Sequence, residues 1–216
     1  MSRLTKLEPE RGGARTRLLE AAGNVIRTKG FAATSIEEVC QAAAVTKGAF
    51  FHHFHSKEAL GVAAAEHWAA TTTAFFAGAP FHGPDDPLDR LLAYVAFRKS
   101  IIVGDLAEFT CLVGTMTQEV HATSPAIRDA CASSIFGHAA TLEADIAAAM
   151  ADRGLAGDWT AESLARHTQA VIQGAFVLAK AGADPALARE SLDHLDRYLR
   201  LLFGGSDREN RGKAPS

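Results

Sequence analysis

An all-α chain is what the sequence predicts: a compact three-helix module at the N-terminus, then a larger helical body, about nine helices together. Three observations carry this. Alanine is abundant and no stretch alternates β-branched or aromatic residues with polar ones, so strand signals are nearly absent. Apolar residues recur at i, i+4 and i+7, the spacing of one helix face. Helix starts are marked by Ser, Thr or Asp caps, and three of these are followed by proline at the first helical position.

In the first helix Leu18, Leu19, Ala22, Val25 and Ile26 share a face, and Gly30 supplies the stop. Ser35-Ile36-Glu37-Glu38 reads as a capping box opening a short second helix to Ala43. A tight break at Ala44-Val45 leads to Thr46, which caps a third helix through Phe54. Ser56 caps a longer helix reaching Phe76. Asp86-Pro87, Ser124-Pro125 and Asp184-Pro185 open three more, and Asp105 to Ala122 and Thr160 to Ala181 supply the remaining two. Ser206 to Ser216 has almost no apolar content and is expected to be a disordered tail. The expected domains are therefore 12–58, 59–205 and the tail 206–216.

The chain has 216 residues, 48% of them apolar, which is ample for a packed core, yet no apolar run is long enough to span a bilayer. The opening Met-Ser-Arg-Leu-Thr-Lys-Leu-Glu-Pro-Glu has no hydrophobic stretch behind its charges, so no secretory signal is expected. Cys40, Cys111 and Cys131 lie far apart, neither a disulfide framework nor a zinc grid, and a reducing cytoplasm is the expected compartment. The net charge is −3, but it is unevenly spread. Residues 1–60 hold nine Lys/Arg against six acids, a balance of +3, which leaves −6 on the rest. A basic module on an acidic body points to a nucleic-acid contact at one end.

The second and third helices, joined by a short turn, have the layout of a helix-turn-helix, whose second helix enters the DNA major groove. In the third, Phe50 and Phe54 are four apart and face the core above Val39 and Val45, leaving Thr46, Lys47, Ala49, His52 and His53 toward solvent. Gly48 inside a helix costs roughly 1 kcal/mol relative to Ala, which points to a backbone that must come close. The helix N-terminus at Thr46 offers amides and a dipole to a phosphate, with Lys47 and Lys57 adding charge.

Residues 14–60 resemble the DNA-binding domain of the tetracycline-repressor (TetR) family. The matching stretches are Thr34-Ser35-Ile36-Glu37-Glu38-Val39, Ala44-Val45-Thr46-Lys47-Gly48 and Phe51-His52-His53-Phe54-His55-Ser56-Lys57-Glu58-Ala59-Leu60. The resemblance implies a DNA surface made of Thr34, Ser35, Thr46, Lys47, Gly48, Ala49, Phe51, His52, His53 and Lys57. Within it Thr34, Thr46, Lys47, His53 and Lys57 are the expected phosphate contacts, with Ala49 and His52 near base edges. Phe51 departs from the tyrosine usual there and cannot donate that residue's hydrogen bond. His52, His53 and His55 have no Cys, Asp or Glu completing a ligand set, so no metal and no cofactor is expected.

The resemblance further implies an all-α body that binds a small effector and forms a homodimer on an inverted-repeat operator, as a repressor. Two apolar stripes support the dimer: Leu164, Val171, Ala175 and Leu178, and Leu192, Leu195, Leu199 and Leu202, with Gly174 and Ala175 allowing close approach. Phe97, Phe109, Cys111, Met116, His121, Phe136 and Phe176 are the candidate pocket residues, for a small apolar or thiol-reactive effector. Cys111 stands near a helix start, where the dipole favours negative charge. An enzyme is not expected, because no phosphate-binding loop, G-x-S-x-G elbow or H-E-x-x-H helix is present. Glu119 and His121 are two apart, on different helix faces. The alternative is a DNA-binding activator or architectural protein without an effector.

Overall fold

The computed structural model describes residues 13–156 and 158–204; the expected tail at 206–216 and residue 12 of the expected first domain lie outside the described residues. Every regular element among the described residues is helical. The order is α1 (Ala14–Lys29), α2 (Ile36–Ala42), α3 (Lys47–His53), α4 (Lys57–Ala77), a 3-10 turn (Pro80–His82), α5 (Pro87–Ser100), α6 (Leu106–Phe109), α7 (Leu112–Val120), α8 (Pro125–Ala140), α9 (Glu143–Asp152), α10 (Ala161–Gly182) and α11 (Pro185–Leu202).

The starts follow from side chains that satisfy orphan amides. Ser35 and Glu38 close a reciprocal box on α2, and Thr46 and Ser56 accept from Ala49 N and Ala59 N. Asp86, Ser124 and Asp184 each cap a helix with proline in its first turn. Eleven α-helices replace the nine expected because two long segments break. The segment 105–122 turns extended at Thr110, whose hydroxyl donates to Leu106 O at 2.7 Å, and Cys111 then caps α7. The segment beginning at Pro125 breaks at Thr141-Leu142, which sends Leu142 and Ile146 into the core. Neither break carries a glycine or proline, so periodicity alone ran through both.

Two cores organise the molecule. The first joins α1–α3 to the start of α4, to α7 and to the first half of α8, around Leu18, Ile26, Phe50, Leu60, Leu112, Met116 and Ile127. The second joins the end of α4 to α5 and α9–α11, around Tyr94, Leu91, Ile146, Ile172, Leu195 and Leu199. α4 runs unbroken through both, so the expected boundary at 58/59 falls in its first turn and the two units share a helix.

Candidate functional site

The module presents α3. Its inner side is Phe50, fully buried, with Phe54 behind it at 5.7 Å between ring centroids. Thr46, Lys47, Gly48 and His52 are exposed, Phe51 is exposed across half its surface, and Ala49 and His53 are half-buried. The Lys47 ammonium pairs with the Glu37 carboxylate of α2, and that hydrogen bond raises the lysine pKa and lowers the glutamate's. Nothing among the described residues crowds Gly48: an added Cβ meets Thr46 Oγ1, at 3.8 Å.

Three of the residues expected on this surface bond within the chain: Thr34 is buried, and Ser35 and Lys57 are half-buried. Thr34 is 4% exposed and its hydroxyl donates to Gly30 O at 2.6 Å. Ser35 Oγ donates to Glu38 Oε2 at 2.8 Å and accepts from Glu38 N at 3.2 Å. Lys57 Nζ donates to Ala32 O at 3.0 Å and lies 4.6 Å over the Phe31 ring; burial lowers its pKa. Thr34 and Lys57 satisfy carbonyls of the loop between α1 and α2, and Ser35 caps α2.

In the body a cavity of about 230 Å³ opens between α4, α5, α6, α7, α8 and α10. Trp68, Phe75, Phe76, Phe109 and Phe176 form an aromatic wall; Arg98, Ser134, His138, Gln169, Gln173 and Cys111 supply polar groups. Three of the seven expected pocket residues are here: Phe109, Cys111 and Phe176. Phe97 stands behind the wall, 5.8 Å from the Phe76 ring. Met116 is fully buried in the first core, His121 is exposed at the end of α7, and Phe136 is 57% exposed under the Arg166 guanidinium. The turn of α8 that sends Ser134, Ile135 and His138 inward sends Phe136 out. The α4 residues went unread because that helix is apolar around most of its circumference. Gln169, on the same face as Ala165, Ile172 and Phe176, was a legible signal: a long polar side chain 5% exposed. Cys111 is half-buried as the cap of α7, its Sγ accepting from Gly114 N at 3.4 Å, whereas Cys40 and Cys131 are buried and burial pushes the Cys131 thiol up to about 11.

Residues 18–64 match the family described as bacterial regulatory proteins, tetR family, and residues 87–195 match the tetracyclin repressor-like C-terminal domain, half of the chain. The chain belongs to the tetR family. Among curated relatives, the HTH-type transcriptional regulator UidR of Escherichia coli K12 is 37% identical over 57 residues, 26% of this chain and 29% of UidR. The chain thus spans under a third of the length of the first curated relatives it matches. Among solved structures, reduced NemR of E. coli superposes with a TM-score of 0.72 at 26% identity, covering 84% of this chain and 94% of NemR. CifR in complex with a 26 bp double-strand operator shares the fold, with a TM-score of 0.70 at 22% identity over 89% of this chain and 98% of CifR.

As a tetR-family body, the α10–α11 pair does not use its sequence stripes as an outer face. Leu164, Ala175, Leu192, Leu195 and Leu199 are buried in the chain's own second core, with Val171 and Leu202 packed against it. Leu178 alone of the eight is exposed, at 54%; Tyr198 and Leu201 on α11 are exposed as well. A stripe is apolar because it is buried, and its spacing does not say against which chain.

Proposed function

We propose that the protein is a sequence-specific DNA-binding transcriptional regulator. It acts as a homodimeric repressor on an inverted-repeat operator, and a small apolar or thiol-reactive effector entering the cavity releases it. The observation that carries this reading is the link between cavity and module. Arg27, in the last turns of α1, donates to Glu108 O at 3.1 Å and lies 5.0 Å over the Trp68 ring, and both Glu108 and Trp68 line the cavity. An occupant that shifts the wall shifts α1, and a ligand with unequal affinity for two module positions changes operator affinity.

Thr46, Lys47, Ala49, His52 and His53 support the DNA reading as the face α3 turns outward. For the dimer, the support is the exposed row of Ala170, Gly174 and Leu178 on α10, together with exposed Tyr198 and Leu201 on α11. An added Cβ at Gly174 meets nothing among the described residues, so a partner helix has room to approach. Half-sites read by two such modules lie about 34–36 Å apart. Cys111, lining the cavity and half-buried, is the group a thiol-reactive effector meets.

The test is selection of bound genomic fragments by the purified protein at low salt and at ~200 mM salt. An enriched inverted repeat that persists at the higher salt is the expected result. Sequence-blind binding that disappears with salt overturns the reading, and a specific operator that no cavity occupant weakens leaves an effector-free regulator.

A further inference from the structure

We propose that the cavity is a site for a small organic anion, a monocarboxylate with one ring or a short apolar chain, whose carboxylate is held by Arg98. The inference rests on the reading above that an effector enters the cavity, and it gives that effector a carboxylate in place of a purely apolar or thiol-reactive character. Arg98 projects from α5 into the cavity and has no carboxylate partner and no hydrogen bond among the described residues. Two aromatic faces hold it instead: its guanidinium lies 5.0 Å over the Phe76 ring and 5.7 Å over the Phe176 ring. Such stacking fixes the planar fork in place without neutralising it or using its in-plane donors. A half-buried guanidinium against aromatic walls gains most from a bidentate anion.

The other polar groups converge on the same chemistry. Ser134 is 9% exposed, opens on the cavity and makes no hydrogen bond among the described residues. His138 Nε2 is 2.9 Å from the Tyr94 hydroxyl, which Gln169 Nε2 also reaches at 3.0 Å. Both side chains thus hold the Tyr94 hydroxyl, with the imidazole's donor or acceptor role following its tautomer. Burial, with Arg98 nearby adding repulsion, holds His138 down at about 4, so the ring is neutral near pH 7 and leaves the anion's charge to Arg98. Among the described residues the acid on the wall is Glu108, and its Oε2 accepts from Asp105 N at 2.6 Å at the exposed start of α6. Size sets the apolar part: a dry cavity of roughly 150 Å³ admits benzene, so about 230 Å³ holds one ring with its carboxylate.

A charge series of one shape tests this on the unsubstituted protein. Benzoate, benzamide and benzylamine are titrated by calorimetry and by thermal melts, and each is added to the protein–operator complex. The expected result is benzoate binding at least about tenfold more tightly than benzamide, the scale of one charge-assisted hydrogen bond, and no binding by benzylamine. Arg98→Met brings benzoate down to the level of benzamide. Benzamide binding as well as benzoate, or Arg98→Met keeping the preference, overturns the anion site; if such a neutral occupant still releases operator, the effector reading stands without it. Absence of binding by all three probes overturns the anion site and leaves the effector reading to be decided by thiol-reactive compounds at Cys111. The series on the native protein decides the matter even where the variant fails to fold.

Discussion

His138 is half-buried on α8, and its ring meets Phe76 at 4.6 Å and the wholly buried Tyr94 at 6.0 Å between centroids. Desolvation disfavours its charged form and pushes the pKa from 6.5 down to about 4. Between those values the unfolded chain binds a proton that the folded one refuses, so stability is present above pH ~6.5 and is lost as pH falls through ~4. The loss amounts to on the order of 3 kcal/mol. Melting temperatures measured across this window should therefore fall less steeply for His138→Gln than for the parent; parallel curves would show that the imidazole is hydrated. None of this was readable from the sequence. A histidine four residues after Ser134 fits an exposed helix face as well as a buried one, and only the packing of Tyr94, Phe76 and Gln169 around it decides.

Gly48 and Leu178 carry the corresponding arguments for whole helices. In α3 a glycine costs about 1 kcal/mol relative to alanine, and no neighbour among the described residues requires it. Gly48→Ala should therefore stabilise the free protein by up to about 1 kcal/mol in denaturant melts. On DNA the same methyl group meets the backbone, and operator affinity should drop by on the order of tenfold. A variant more stable and equally tight would remove close approach as the reason for the glycine. On α10 and α11 the two faces separate by the same logic. Leu195→Glu places an unpaired carboxylate in the second core, where Leu195 is 2% exposed, and should cost the fold several kcal/mol, about 3–5. Leu178→Glu, on the exposed face, should leave helical circular dichroism intact and shift the sedimentation profile from dimer to monomer; a dimer that survives it puts the partner elsewhere. Helix existence was legible at both places, since caps and periodicity are local. The breaks at Thr110 and Thr141-Leu142 were not, because each follows from a residue finding its place in the core rather than from a helix-stopping side chain.

Across the whole molecule, three hydrogen bonds among the described residues join the module to the body beside the core they share. Arg27 bonds Glu108 O and covers Trp68, Glu119 Oε2 accepts from Ala32 N at 2.7 Å, and Glu58 on α4 accepts from the Ser124 hydroxyl that caps α8. Burial lowers the Arg27 pKa, and its three nitrogens all donate: Nε to Gly23 O, Nη1 to Glu108 O and Nη2 to Asn24 Oδ1. Coupling free energies of this kind run to about 1–3 kcal/mol, or roughly 5–150-fold in affinity. Arg27→Met keeps the apolar cover over Trp68 but removes the bond to α6. Ligand-free operator affinity should change by less than about threefold, under 1 kcal/mol, while the ratio between ligand-free and ligand-bound affinities should fall toward unity in fluorescence-anisotropy titrations. An unchanged ratio would route the coupling through α4 and α7 instead.

The all-α class, the helix starts and the outward side of α3 were legible in the linear chain, because a cap, a proline or a 3.6-residue repeat acts within a few residues of itself. The packing of helices against one another was not. Thr34, Ser35 and Lys57 carry the expected motif yet bond within the chain, and Leu192, Leu195 and Leu199 form the expected stripe yet face their own core. Which residues meet across the cavity depends on the rotation of six helices about their axes, a quantity set by long-range burial. Arg98 reads in the sequence as one more charge in the last turn of a helix. Its place over two phenylalanine faces, without a counter-charge, exists only once α4, α5 and α10 are packed together.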